Sequence, residues 1–239
     1  MIPQLFCLPY AGASASIYGR WRRMLPDLDL RPVELPGRGR RFTEALQDDM
    51  SSLARQLAEE LSAEIGGSYA LFGHSLGALL AFDLAHALRE LRCPAPEALF
   101  ASGTAAPGRR DDREFIGEKS DAELVDHLRR LDGTADAVFA EPDLMRLTLP
   151  VLRADFRMCG RYRHRRRPLL ACPIHVLAGR DDTATIEQLL AWGDESGPGF
   201  TLSLFDGGHF FLFQQQGAVL GEIRSRLRRV QQPLRAAAG

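Results

Sequence analysis

Three short segments carry side chains whose types and spacing suit nucleophilic chemistry. They are Ser75 in GHSLG, Asp181 and Asp182 in AGRDD, and His209 in FDGGHFFL. A serine hydroxyl is a weak nucleophile until a base removes its proton, and an imidazole oriented by a carboxylate can be that base. Ser75 stands between Gly73 and Gly77, where apolar YALFGH gives way to a helical pattern. Glycine is a poor helix former, so this pair does not serve helix stability. G-x-S-x-G at a strand-to-helix junction projects the serine oxygen above a sheet on a strained turn, and glycines leave room for the tight crossing. The N–H of Leu76, at the helix start, then faces a developing oxyanion with the helix dipole behind it.

The partners follow from chain order. In α/β-hydrolases the nucleophile precedes the acid and the acid precedes the histidine. That order leaves His86, His127, His164, His175 and His209. His86 and His127 lie in helical runs, His164 in an arginine cluster and His175 inside a strand; these read as structural or solvated. His209 follows the last strand, with two glycines forming its loop and aromatics behind it. The acid belongs three residues past the glycine that ends PIHVLAG, which gives Asp182 and leaves Asp181 as a loop neighbour. Asp206 lies too close to His209 in sequence to be its natural partner. A second oxyanion donor is expected from the loop after the first strand, CLPYAGASAS. Ala11 N–H is the choice there, with Tyr10 and Gly12 as alternatives.

These residues need a scaffold. Strands are expected over 4–9, 30–35, 69–74, 97–103, 173–179 and 200–206. Between them lie helix stripes: Leu53, Leu57, Leu61 and Ile65, then Leu80, Leu84, Leu88 and Leu91. Near-continuous apolar strands alternating with helices imply an α/β fold with a parallel sheet covered on both faces. From Pro107 to about Pro168 only helical pattern occurs. Ser120 and Glu123 form a capping box, Gly133 suits that helix's end, and Pro150 predicts a kink or break in the next helix. This stretch reads as a cap inserted over the site within a single domain spanning 1–239.

Composition narrows the function. The 239 residues carry 30 cationic and 31 acidic side chains, a formal net charge of -1, without the basic excess of a nucleic-acid protein. No apolar run reaches the ~20 residues of a membrane span, and the start lacks signal-peptide features. The four cysteines form no zinc spacing and are expected reduced, in a cytoplasmic protein. No metal or cofactor is expected.

The sequence resembles the type II, or external, thioesterases of non-ribosomal peptide and polyketide assembly lines. The matching pieces are LPYAGASA, ELPGRGRRF, GHSLGALLAFDLA, LPVLRADF, AGRDD and GGHFFL, in the family's order from position 8 to 212. The chain departs at Tyr10 and Ala13, where the family usually has histidine and glycine. The resemblance implies an α/β-hydrolase fold with a mobile helical lid. It also implies hydrolysis of acyl thioesters on the phosphopantetheine arm of carrier proteins, a proofreading role that releases misprimed or stalled acyl groups. Catalytic roles carry over to Ser75, Asp182 and His209, and oxyanion donors to Leu76 and Ala11. Arg161, Arg163, Arg165, Arg166 and Arg167, and separately Arg20, Arg22 and Arg23, are candidate docking patches for an acidic carrier domain, the alternative being solvated loops. Nothing in the sequence requires more than a monomer. Two other readings use the same residues: an esterase of small free esters, and a hydrolase-fold binding protein without catalysis.

Overall fold

Six strands form one sheet in the order β2-β1-β3-β4-β5-β6, every neighbouring pair parallel. The structure is a computed structural model and describes residues 2–130 and 141–231. The strands are β1 Gln4–Leu8, β2 Asp29–Pro32, β3 Tyr69–His74, β4 Leu99–Ser102, β5 Ile174–Gly179 and β6 Phe200–Phe205. All six expected strands are present; β3 keeps its expected bounds and the others differ at their ends. The 30–35 segment loses most: β2 ends at Pro32, although Val33 N still donates to Cys7 O at 2.9 Å.

Alternation along each strand feeds two apolar layers. Phe6, Leu8, Tyr69, Leu71, Leu99, Ile174 and Val176 pack on one face, against α2 (Met50–Ser62) and α3 (Leu76–Glu90). Leu5, Cys7, Ala70, Phe72, Phe100 and Leu177 point to the other, against Trp21 of α1 (Trp21–Met24) and Val219, Ile223 and Leu227 of α8 (Gln216–Gln231). Burial on both faces explains why the strands read as continuous apolar runs rather than alternating ones. The helix stripes hold except at their ends. Leu80, Leu84 and Leu88 are buried, whereas Leu91 lies just past α3 and is 47% exposed.

The chain runs from β1 outward to β2 and then returns to β3 on the other side of β1. Crevices at such a reversal, above the carboxyl ends of the strands, are where α/β sheets bind ligands. The loops that follow β1 and β3 carry Ala11 and Ser75 to that point.

Between β4 and β5 the described residues contain no strand. They hold two short 3-10 turns, α4 (Asp121–Arg130) and α5 (Pro142–Arg161). Ser120 and Glu123 cap α4 reciprocally, at 2.8 Å for Ser120 N to Glu123 and 3.3 Å for the return bond. Gly133 lies outside the described residues. The break expected at Pro150 is not found, because α5 is helical without interruption over 20 residues. A proline removes one hydrogen bond and crowds one carbonyl. The buried Val151, Leu152 and Phe156 just beyond it hold the helix down regardless. Leu124, Leu128, Leu152 and Phe156 form a small core of their own, and Ala11 packs against it.

Candidate active site

Ser75 caps α3 with φ 54° and ψ -119°, a conformation that L-residues adopt only under constraint. Its own N–H donates to Ser102 O at 2.7 Å, tying the turn to the end of β4. The flanking glycines are steric necessities. A Cβ on Gly73 would sit 2.0 Å from Gly77 O, and one on Gly77 would sit 2.3 Å from Leu8 O. The elbow therefore runs backbone against backbone, with no side chain admitted. Leu76 N is the first amide of α3, and amides in that position have no intrahelical acceptor.

After β5 comes α6 (Ile186–Leu190), and His209 sits after β6, at the head of the loop leading into α7 (Phe211–Gln214). Its Nδ1 lies 3.0 Å from Asp182 Oδ2 and 3.1 Å from Oδ1. Nδ1–H donating to that carboxylate fixes the tautomer and leaves Nε2 as the basic nitrogen. The Asp182 side chain is only 2% exposed, and it also accepts from Thr183 N at 2.7 Å. Asp181 is exposed, and Asp206 points to solvent with Arg180 at 3.2 Å.

A cavity of about 580 Å³ joins these groups. Ser75, Leu76, Ala11, Asp182 and His209 line part of it, and Phe115, Leu128, Leu152 and Phe156 from between β4 and β5 line another part. That volume suits a small organic ligand. His127 of α4 also reaches this cavity and packs edge-on to Phe156, with ring centroids 4.6 Å apart. Burial, with Arg130 nearby, lowers its pKa to about 4, so it faces the cavity as a neutral group. Arg110 is covered by contacts with Phe115 and Tyr162 and pairs with Asp112 at 3.0 Å.

The remaining histidines hold structure. His74, inside GHSLG, is fully buried, with Nδ1 2.9 Å from Ser102 Oγ and its ring 5.0 Å from that of His209. Burial drives its pKa well below the ordinary histidine value, so it stays neutral. His175 bonds Thr201 at 2.8 Å across β5 and β6. His86 lies against Arg89 and Phe82, its pKa lowered to about 3 by burial first and by arginines second. His164 pairs with Glu195 at 2.9 Å.

The loop after β1 bears on the oxyanion alternatives through one amide, that of Gly12. Ala13 N donates to Tyr10 O at 3.1 Å, closing a turn with Gly12 at φ +79°. Gly12 N–H is already committed to Asp155 Oδ2 at 2.7 Å. Gly12 N–H is thus not free for a substrate, while Tyr10 and Ala11 both line the cavity. Tyr10 presents its ring to His74 and Phe210. Asp155 and its partner Arg38 lie in motifs that the sequence displayed, LRADF and LPGRGRR, yet no local pattern gave either residue a role.

The arginine run is largely occupied. Arg161 reaches Asp48 at 2.5 Å, Arg163 caps Gly160 O at 2.7 Å, and Arg167 bonds the buried Asp83 and lies over the Phe82 ring. Only Arg165 and Arg166 of the five present themselves as plainly exposed without such ties. All four cysteines are free thiols. Among the described residues no helix is long and apolar enough to cross a membrane.

A parallel sheet with a strained serine at its central crevice and a histidine–aspartate pair beside it defines the α/β-hydrolase class. The thioesterase-domain family model matches residues 3–227. The chain belongs to this thioesterase family and is a thioester hydrolase. Its relatives include type II thioesterases. The structure of BorB, the type II thioesterase of the borrelidin biosynthetic cluster, is 43% identical, covers 95% of this chain and 93% of its own, and superposes with a TM-score of 0.85. Thioesterase PikA5 of Streptomyces venezuelae is 35% identical over 94% of this chain and 80% of its own length. A Brevibacillus parabrevis relative, 38% identical over 93% of this chain and 87% of its own, bears the name linear gramicidin dehydrogenase LgrE. That name speaks of another reaction, but the family model and the solved relatives agree on thioester hydrolysis.

Proposed function

We propose that the chain hydrolyses acyl thioesters carried on the phosphopantetheine arm of carrier proteins, clearing misprimed or stalled acyl groups from a peptide or polyketide synthase in the cytoplasm. Ser75 is the nucleophile, His209 the general base and Asp182 the group that orients it; Leu76 N–H and Ala11 N–H hold the oxyanion. The observation that carries this reading is the meeting of a positive-φ serine and an aspartate-bound histidine at one cavity.

In the first half-reaction His209 Nε2 takes the Ser75 proton as Oγ attacks the thioester carbonyl. The tetrahedral oxyanion collapses, the C–S bond breaks, and the arm leaves as a thiol carrying the proton that His209 Nε2 gives up, so His209 is neutral again. A thiol has a pKa near ~8.5, so it departs with less protonation than an alkoxide needs. In the second half His209 deprotonates a water, which attacks the acyl-Ser75 ester and releases the acid. No step calls for a metal or cofactor. The helices between Pro107 and Pro168 act as the lid of a single-domain monomer, since they supply the wall facing Ser75.

The test is turnover of an acylated carrier protein beside a nitrophenyl ester of the same acyl group. A kcat/KM at least tenfold higher for the carrier-bound thioester supports the reading, and equal values favour a general esterase. Mass spectrometry of a quenched reaction should show the acyl group on Ser75. A folded sample that neither turns over nor reacts with a fluorophosphonate is a binding protein.

A further inference from the structure

One buried ion pair has no part in the proposed chemistry, and its geometry is unusual. Arg38 meets Asp155 through two parallel bonds of 2.7 Å each, with the two side chains 4% and 0% exposed. Buried ion pairs are weak devices for stability, because desolvation offsets most of the attraction and apolar replacements often serve as well. This pair does more than neutralise itself. Asp155 Oδ2 also accepts Gly12 N–H at 2.7 Å, and Arg38 Nη1 donates to Ala13 O at 3.3 Å. Both contacts fall on the turn whose second residue is Ala11; Asp155 reaches it from 143 positions away in sequence and Arg38 from 25. Leu152, one turn before Asp155 on α5, closes the other side: a Cβ on Gly12 would stand 3.2 Å from its Cδ1. Glu34 then fixes the loop's exit by accepting Ala15 N and Ser14 Oγ, each at 3.0 Å.

We propose that Asp155, held by Arg38, is a positioning residue that locks the 10–13 turn so that the Ala11 N–H stays aimed at the oxyanion. The inference rests on Ala11 being that donor. The same bonds anchor α5 at Asp155 to the loop that carries Ala11. A charge-assisted bond to the amide next to Ala11 sets the plane of the turn, and preorganised donors matter most to charge that develops only in the transition state.

The experiment uses the full chain and two probes built on a short acyl-pantetheine. One is a trifluoromethyl ketone, which the serine adds to and which forms an oxyanion; the other is a thioether with a methylene in place of the carbonyl. Arg38→Met combined with Asp155→Leu removes the charges together and deprives Gly12 N of its acceptor. Its kcat should fall ~10- to 100-fold with KM within twofold, somewhat less than loss of a whole oxyanion donor. Ketone affinity should fall by the same factor while thioether affinity stays put. Arg38→Gln with Asp155→Asn keeps an acceptor oxygen and should recover kcat to within about fivefold of the wild type.

A folded Met/Leu variant with wild-type kcat and ketone affinity overturns the proposal, and so does an equal loss of both probes, which would mean a misshapen pocket. If both variants fail to fold, the wild-type Gly12 amide decides by NMR. A downfield, exchange-protected proton supports the proposal, and an ordinary, freely exchanging one overturns it. A wild-type protein that binds the ketone no tighter than the thioether refutes the Ser75–Ala11 reading itself and removes this inference with it.

Discussion

The elbow at Ser75 and the helical stretch between β4 and β5 face each other across one cavity, but they are held by different physics. Every residue from Tyr69 to Leu88 except Ser75 is buried, and the turn is fixed by backbone contacts that admit no Cβ. The opposite wall leaves Ile116, Leu144 and Leu147 at 61%, 43% and 72% exposure. It is tied down by ion pairs such as Arg157–Glu118 and Arg161–Asp48, with one small apolar core. Steric exclusion tolerates no change, whereas exposed ion pairs tolerate many, since each contributes little. The contrast teaches that the proposed nucleophile's turn is fixed by sterics, while the wall across the cavity is held by ties that can adapt.

Five measurements sharpen or break that contrast. Ser75→Ala should lower kcat on an acylated carrier protein by at least ~10³-fold while the fold persists; a mild loss would mean that the elbow is not the reacting centre. Asp182→Asn should cost about 10²- to 10⁴-fold in kcat, because it permits the wrong His209 tautomer, whereas Asp181→Asn should change kcat less than twofold. Gly77→Ala should destabilise by more than about 3 kcal/mol or prevent folding, as read by denaturant titration. A normal midpoint there would show that the elbow is softer than its contacts imply.

The fourth measurement is pH dependence. The pKa values of His127 and His175 sit at about 4 in the folded protein, mainly through burial. The unfolded chain binds those protons near pH 6.5, so it holds more protons between pH 6.5 and 4, and stability must fall as pH drops through that window. His127→Gln should flatten the slope by up to about 1.4 kcal/mol per pH unit. An unchanged slope would mean that the α4 side of the cavity opens too freely to hold its histidine neutral. Last and smallest, Arg157→Ala should shift stability by no more than about 0.5 kcal/mol, and a larger shift would show that the polar ties of this wall are structural.

Local pattern made the candidate site legible. The two glycines around Ser75, the two before His209 and the strand before Asp182 each announce a turn at a strand end, and chain order assigns the roles. Counting three residues past Gly179 chose Asp182 over Asp181, and the carboxylate found against His209 is that of Asp182. Pro150 gave a kink or break as its two outcomes, and the helix is not broken where the buried Val151, Leu152 and Phe156 follow it. Charge density in the arginine run says nothing about which guanidinium finds Asp48 or Asp83. His127 read as an ordinary helical histidine, since its place in the cavity depends on how α4 packs.

By itself the sequence determined the parallel sheet, the helices over both faces and the three chemical side chains at strand ends, because those follow from periodicity and turn chemistry within a few residues. Only the tertiary structure decided that Gly12 is unavailable, that Arg38 and Asp155 brace the loop beside Ala11, and that the inserted helices wall the cavity. Contacts between residues more than a hundred positions apart depend on the route of the whole chain, and no short window of residues encodes that route.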